Sequence, residues 1–292
     1  MVNCYNCGFK SAYKGGDIGG SFESWAGWLG IPDESIQRAK MEILAKQVSG
    51  EIAKSPSTAW SRPGAFEECL LPSSARPFSH WLNLDEPPDG FLKCLEYVAS
   101  RGRAVLEGWD YHWAPTADNT QQRRIRIDER VIIPFKYQGK VVGWTSRYLG
   151  SPPSGITRYH NGPVPEGYLF NCDAIFARNR KFVLVLEGPF DAIAVDGVGV
   201  LGSTLNRAQV DWLKSTDTEK IIVPDRQAKN QDLIDAALEH GWSVSFPEWG
   251  EDIKDAADAS SRYGRLWALH SIIKARTSNQ LKIGVQRQML KG

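Results

Sequence analysis

In the C-terminal half, three of the four exits from short apolar runs carry acids. Glu187 follows Phe182-Val-Leu-Val-Leu186, Asp225 follows Lys220-Ile-Ile-Val-Pro224, and Asp252, Asp255 and Asp258 crowd the loop after Trp242-Ser-Val-Ser-Phe246. Asp191 lies four residues beyond Glu187. If the runs are strands of an open α/β sheet, the ligand site lies outside their carboxyl ends, and side chains from separate strands meet there. Converging carboxylates repel one another, and hard divalent cations relieve that repulsion most simply. Mg²⁺ takes oxygen ligands, usually one or two carboxylates together with substrate phosphates. Such a site supports metal-assisted phosphoryl chemistry. Acids at strand ends also serve as helix N-caps and in solvated turns, and spacing alone leaves both readings open.

The elements that must position these acids are legible as a pattern. Val198-Gly-Val-Leu201 is the remaining apolar run, and Phe190 to Val195, Asn206 to Lys214 and Gln231 to His240 have the length and periodicity of crossover helices. That alternation predicts βαβ units and a parallel sheet. Upstream, Phe91 to Ser100 reads as a helix that stops at Arg101-Gly102. Arg130-Val-Ile-Ile-Pro-Phe135 and Lys140-Val-Val-Gly-Trp144 flank Gly139 as a hairpin. Asp33 to Lys54 predicts an amphipathic helix with Asp33 as its N-cap, and Ser55 to Asp89 is rich in Pro and Ser, as in a linker with little regular structure.

Composition narrows the classes. The chain has 292 residues, with Lys+Arg 35 against Asp+Glu 34, and a net charge of +1 excludes attachment to nucleic acid or membrane by bulk charge. At 42% hydrophobic and 24% charged it has ordinary globular composition, and its length predicts two compact units. Five cysteines without framework spacing, and no basic-then-apolar leader, imply a reducing cytoplasm, the host's if the chain is phage-encoded. No stretch approaches the roughly 20 continuous apolar residues of a membrane span, so no membrane partner is expected. Gly15-Gly16 and Gly19-Gly20 lack the Lys-Ser/Thr of a phosphate loop, which argues against an ATP-driven helicase in the same chain.

Leu186-Glu-Gly-Pro-Phe-Asp191, Leu201-Gly-Ser-Thr204 and Pro224-Asp225-Arg226, in that order, resemble the Toprim domain of bacterial and phage DNA primases. Arg130-Val-Ile-Ile-Pro-Phe135, Gly143-Trp-Thr-Ser-Arg147 and Thr157-Arg-Tyr-His-Asn161 are similar to the basic subdomain that precedes it, and Cys4-Tyr-Asn-Cys7-Gly resembles half of an N-terminal zinc ribbon. The resemblance implies an α/β fold: a Toprim-type parallel sheet flanked by helices, after a mixed α+β basic subdomain and a partial ribbon. It divides the chain into a ribbon segment at 1–20, a helical segment at 21–54, the linker at 55–89, the basic subdomain at 90–178, the Toprim domain at 179–265 and a basic tail at 266–292.

The implied activity is synthesis of short RNA primers on a single-stranded DNA template from ribonucleoside triphosphates, with Mg²⁺ or Mn²⁺ and a replicative helicase on a separate chain. Glu187 is then the acid near the reacting 3′ oxygen, as metal ligand or general base. Asp191 supports its loop, Asp225 is a metal ligand, and Asp255 is the last ligand, with Asp252 and Asp258 as rivals. Arg147, Arg158 and Arg130 match positions that face template or nucleotide. The residues alone add a basic stripe in which Arg124, Arg126 and Arg130 could line one face of a ribbon, beside Trp113, Tyr137, Trp144 and Tyr148, for which core packing is the default. Lys274, Arg276, Lys282, Arg287 and Lys291 make the tail basic, as a nucleic-acid arm, a docking segment or a solvated end.

Two departures from the family pattern bear on function. Gln227 stands where a second metal-binding carboxylate is normally found, and Cys4 and Cys7 form the only Cys-x-x-Cys, whereas a zinc ribbon needs two pairs for Zn²⁺. These departures motivate one competing function, a catalytically silent single-stranded-DNA-binding replisome protein; the other is a Toprim nuclease that uses the same acids to activate water.

Overall fold

The computed structural model describes residues 2–3, 10–11, 26, 29–48, 66–116, 126–225 and 231–289. The chain divides into two compact units, Met1–Ala59 and Trp60–Gly292. In the first, β1 (Val2–Asn3) and β2 (Lys10–Ser11) pair antiparallel, and α1 spans Asp33–Val48. Asp33 belongs to the first turn of α1, where a negative charge complements the helix dipole. Ala26 and Ile36 form a small buried pair. Cys4, Cys7 and residues 49–54 lie outside the described residues.

The second unit begins with β3 (Arg76–Pro77), α2 (Phe78–Leu82), α3 (Asp89–Ser100), α4 (Arg103–Leu106) and β4 (His112–Trp113). β5 (Arg130–Tyr137), β6 (Lys140–Tyr148) and β7 (Tyr159–Asn161) complete an antiparallel sheet of order β3-β4-β5-β6-β7. Gln138 and Gly139 both adopt positive φ, 50° and 81°, the backbone that a two-residue hairpin turn requires. Strand alternation sends Val131, Ile133, Phe135 and Tyr137 into the main core, while Ile132 and Trp144 fill a smaller core on the other face with Ala75, Ala114 and Ile127. Pro134 is tolerated because β4 pairs with β5 only at Ile132, and the free Pro134 carbonyl accepts the Trp109 indole N–H at 2.9 Å.

The chain then forms β8 (Phe182–Leu186), α5 (Pro189–Val195), β9 (Val198–Gly199), α6 (Arg207–Lys214), β10 (Glu219–Ile222), α7 (Asp232–His240) and β11 (Ser243–Ser245). After these come α8 (Ala256–Tyr263), α9 (Arg265–Ala275), β12 (Arg276–Thr277) and α10 (Gln280–Met289). Strands β11-β10-β8-β9 run parallel, and β12 adds antiparallel beside β11. The four apolar runs are thus strands, each as short as a fully buried parallel strand permits. Asn206 caps α6 through a reciprocal bond with Gln209, at the start expected for that helix.

Two readings of the sequence change. The described part of the linker, from residue 66, is built into the second unit: the Cys69 N–H bonds the Val141 carbonyl at 2.8 Å, β3 pairs with β4, and Phe78 and Trp81 are buried. Pro and Ser set the composition there, but the aromatic anchors decide the packing. The basic tail is structured as α9, β12 and α10, because Ala268, Ile272 and Ile283 are buried in the main core and Arg287 bonds Asp235 at 2.8 Å. Within the second unit, buried residues from Phe78 to Ile283 belong to one hydrophobic cluster.

Candidate functional site

The acid side of the site is built from loops that leave the parallel sheet. β8 ends at Leu186, and Glu187 and Gly188 follow before Pro189 opens α5 with its preset φ. Asp191 falls in the first turn of α5 and is buried, its carboxylate accepting the Ala257 N–H at 3.0 Å. Val223 extends the pairing of β10 by bonding the Val185 carbonyl at 2.9 Å, which brings Asp225 beside Glu187, near enough for the Asp225 N–H to favour the charged Glu187 carboxylate. Asp255 is the N-cap of α8, accepting the Asp258 N–H at 2.8 Å. It acts as a cap and faces the cleft at once, so the two readings of such acids are not exclusive.

All four carboxyls are raised above the usual carboxylate range, and Asp191 and Asp225 are raised in part by neighbouring acids. Burial is the first cause for each. Asp191 is held well above the usual carboxylate range by burial and then by Asp255 and Asp225, against the Ala257 N–H and Arg101. Asp225 is pushed up to about 7 by burial, then by Glu187 and Asp255, with Lys254 opposing. Asp255 is raised by burial against the Asp258 N–H bond, and Glu187 by burial against the Asp225 N–H.

Facing them across a cleft of about 700 Å³ are Arg147 at the end of β6, Arg158 just before β7, and Arg101 at the C-cap of α3; Lys254 joins from the acid side. Arg147 is only 9% exposed, and its guanidinium lies 5.8 Å from the Tyr97 ring centroid and 5.1 Å from that of Tyr159. The Arg101 guanidinium lies over Phe190 at 5.2 Å and 3.6 Å from an Asp258 oxygen. Nε of both arginines and Nη1 of Arg147 are buried without a hydrogen-bond partner. Thr145 and Asn161, which line the same cleft, bond each other across β6 and β7 at 2.6 Å. Buried donors held against a set of acids suit a ligand that carries phosphate oxygens.

The structure thus brings together Glu187, Asp191, Asp225, Asp255, Arg147 and Arg158. Asp252 stands apart, its side chain 81% exposed and paired with Arg262 at 3.3 Å. Asp258 flanks the cleft through ion pairs with Arg101 and Lys254. Arg130 contradicts the expectation of a groove-facing base: it is 0% exposed and donates to the carbonyls of Thr157 at 2.7 Å, Ser146 at 3.3 Å and Arg158 at 3.4 Å. β5 is buried on both faces, so alternation there selects between two cores and offers no wet face. Arg126 precedes β5 in a left-handed turn with φ 55° and bonds Glu129 at 2.5 Å. Trp113, Tyr137 and Trp144 are buried, as core packing predicts. Arg124 and Gln227 lie outside the described residues. The sequence reading missed Tyr97 and Arg101, whose signal was their four-residue spacing on one helix, and Lys254 between two acids.

Among the described residues no three His, Cys, Asp or Glu side chains stand in a preformed metal cluster. The donor chemistry nevertheless fits a hard divalent cation, because Mg²⁺ is usually held by one or two carboxylates and completed by phosphates and water. Among the described residues no helix is long and apolar enough to cross a membrane.

No protein-family model matches the chain, and no curated protein does. Among solved structures it is similar to the RNA polymerase domain of Mycobacterium tuberculosis primase DnaG in complex with double-stranded DNA, with TM-score 0.52 and 18% identity over 69% of this chain and 77% of that one. A DnaG primase catalytic domain bound to single-stranded DNA gives TM-score 0.49 and 19% identity over 68% and 76%. The Aquifex aeolicus primase, zinc-binding and RNA polymerase domains together, gives 0.48 and 20% over 62% and 55%, so the chain spans about half the length of that protein. At these identities the likeness is one of fold, and the Mycobacterium tuberculosis domain carries it: the architecture is similar to that of a primase RNA polymerase domain.

Proposed function

We propose that the cleft is the nucleotidyl-transfer site of a Toprim-type DNA primase that makes short RNA primers on single-stranded DNA. The observation that carries this reading is the juxtaposition, in one cleft, of four carboxylates with raised pKa and two guanidinia whose buried donors have no partner. In this reading Asp225 and Asp255 hold a divalent cation, which when bound neutralises phosphate charge and lowers the pKa of the attacking hydroxyl. Glu187, made more basic by burial, accepts the proton of the 3′ hydroxyl as that oxygen attacks the α-phosphate, the α–β phosphoanhydride bond breaks and pyrophosphate leaves. Asp191 orders the start of α8 through the Ala257 N–H, and so positions Asp255. Arg147 and Arg158 bind the triphosphate and the template strand. A zinc ribbon that includes Cys4 and Cys7, a helicase on a separate chain, and a phage origin with replication in the host cytoplasm belong to the same proposal.

Gln227 favours a second reading, a single-strand-binding replisome protein without catalysis, because an amide oxygen is a weak metal ligand. The deciding experiment is extension on single-stranded DNA of mixed sequence with labelled ribonucleotides and Mg²⁺ or Mn²⁺, comparing the chain with Glu187→Gln. Short RNA products that vanish in the variant support the primase. Intact DNA binding without product moves the assignment to the binding protein, and shortening of the template moves it to a nuclease.

A further inference from the structure

Tyr97 and Arg101 lie one turn apart on α3, the spacing that places two side chains on the same face. The Tyr97 ring lies against the Arg147 guanidinium at 5.8 Å, and Tyr97 is also within electrostatic reach of Arg101. One tyrosine ring therefore lies against a cation whose Nε and Nη1 are buried and unpartnered, one helical turn from a second cation whose Nε is likewise buried and unpartnered. A buried guanidinium N–H without an acceptor is costly, and the usual remedy is a carboxylate. A carboxylate would consume the donors. An aromatic face stabilises the charge of the guanidinium and leaves its N–H groups free.

We propose that Tyr97 is a positioning residue that keeps the Arg147 guanidinium desolvated and without a carboxylate partner, so that it and the neighbouring Arg101, which pairs with Asp258 at 3.6 Å, are available to one phosphate-bearing ligand. This rests on the reading of the cleft as a triphosphate site. The Phe190 ring, 6.3 Å from Tyr97 and 5.2 Å from the Arg101 guanidinium, fixes the arrangement from the side of the parallel sheet. Tyr159, 5.1 Å from Arg147, supplies a second ring.

The test is calorimetric titration of the whole chain with inorganic triphosphate, alongside thermal melting. Tyr97→Leu weakens binding about tenfold, the scale of a desolvated cation–π contact. Tyr97→Phe keeps the ring and binds within about twofold of wild type, a rescue that a merely structural role of the hydroxyl would not give. On an Arg147→Ala background Tyr97→Leu has no further effect, which ties the tyrosine to that guanidinium. Tyr97→Met repeats the measurement if the leucine variant does not fold. Wild-type affinity in both Tyr97→Leu and Tyr97→Met overturns the role of Tyr97 alone, as does a Tyr97→Phe variant that binds as weakly as Tyr97→Leu. A folded wild type that binds no triphosphate, or an Arg147→Ala variant that binds it unchanged, overturns the triphosphate reading of the cleft and this inference with it.

Discussion

Replacing Arg130 by Met separates a structural arginine from a nucleic-acid contact. The methionine fills the aliphatic volume but leaves the carbonyls of Thr157, Ser146 and Arg158 without their charged donor. The 2.7 Å bond to Thr157 is the strong one, worth roughly 1.5–3 kcal/mol as a charge-assisted bond, and the two longer bonds contribute less. Removal of one partner from a buried charged network costs about 3–5 kcal/mol, partly offset because no charge has to be buried in the variant. A net loss of ~3 kcal/mol corresponds to a fall of roughly 10 °C in melting temperature for a unit of this size. The same three carbonyls belong to β6 and to the approach to β7, so Arg158 and Tyr159 lose their placement as well. The assay is calorimetric melting, combined with the salt dependence of single-stranded DNA binding by the folded fraction. A phosphate contact would appear as a salt slope lower by about 0.7 with melting unchanged. That result would refute the assignment of Arg130 to the core.

The Asp225 carboxyl, at about 7, holds a proton that the unfolded chain has already released, so stability falls as pH rises from the usual carboxylate range through about 7. Melting in a chelator should drop by several degrees between pH 5.5 and pH 8, Asp225→Asn should flatten the profile, and Mg²⁺ at pH 8 should restore the loss by binding the folded state; a flat wild-type profile contradicts the repulsion among these acids. Gly102 adopts φ 96° and ψ 159°, and a Cβ there would meet the Ser261 Cα at 2.7 Å. Gly102→Ala is therefore expected to cost about 3 kcal/mol from strain and overpacking together, measured by denaturant unfolding, and a loss below ~1 kcal/mol would mean that this turn relaxes freely. Gln227→Asp should raise the affinity for Mn²⁺ in calorimetric titration; unchanged affinity and activity would show that this position does not limit the site.

How far the sequence reveals this molecule depends on the range of each signal. The runs ending at Leu186 and Phe246 are local, and a buried parallel strand has no other way to read than as a short apolar stretch, so the acids that follow such runs could be located at once. Arg130 misled because a period of two carries information only where one face is wet, and β5 has a core on each side. The C-terminal segment misled for the opposite reason: Ala268 and Ile272 keep helical spacing, but five basic residues dominate its composition. Arg101, Arg147 and Lys254 come from three distant segments, and only the packing of the two sheets brings them to one cleft.

That packing also shows how a chain with net charge +1 would bind the polyanion of the proposed function without bulk attraction. The residues lining the cleft include Arg101, Arg147, Arg158 and Lys254 against Glu187, Asp191, Asp225 and Asp255, so the charges cancel in sum but are separated in space. All four acids leave the parallel sheet, whereas the three guanidinia come from α3 and the antiparallel sheet. The separation can persist only if something apolar holds the two sides in register. Phe190, next to Asp191 and beneath Arg101, does so: its ring contacts Tyr97 at 6.3 Å and Tyr111 at 6.1 Å. The same buried ring therefore sets the distance between the carboxylates and the guanidinia. A field that a surface patch would lose to salt within about 10 Å is thereby confined to a partly desolvated cleft, where screening is weaker.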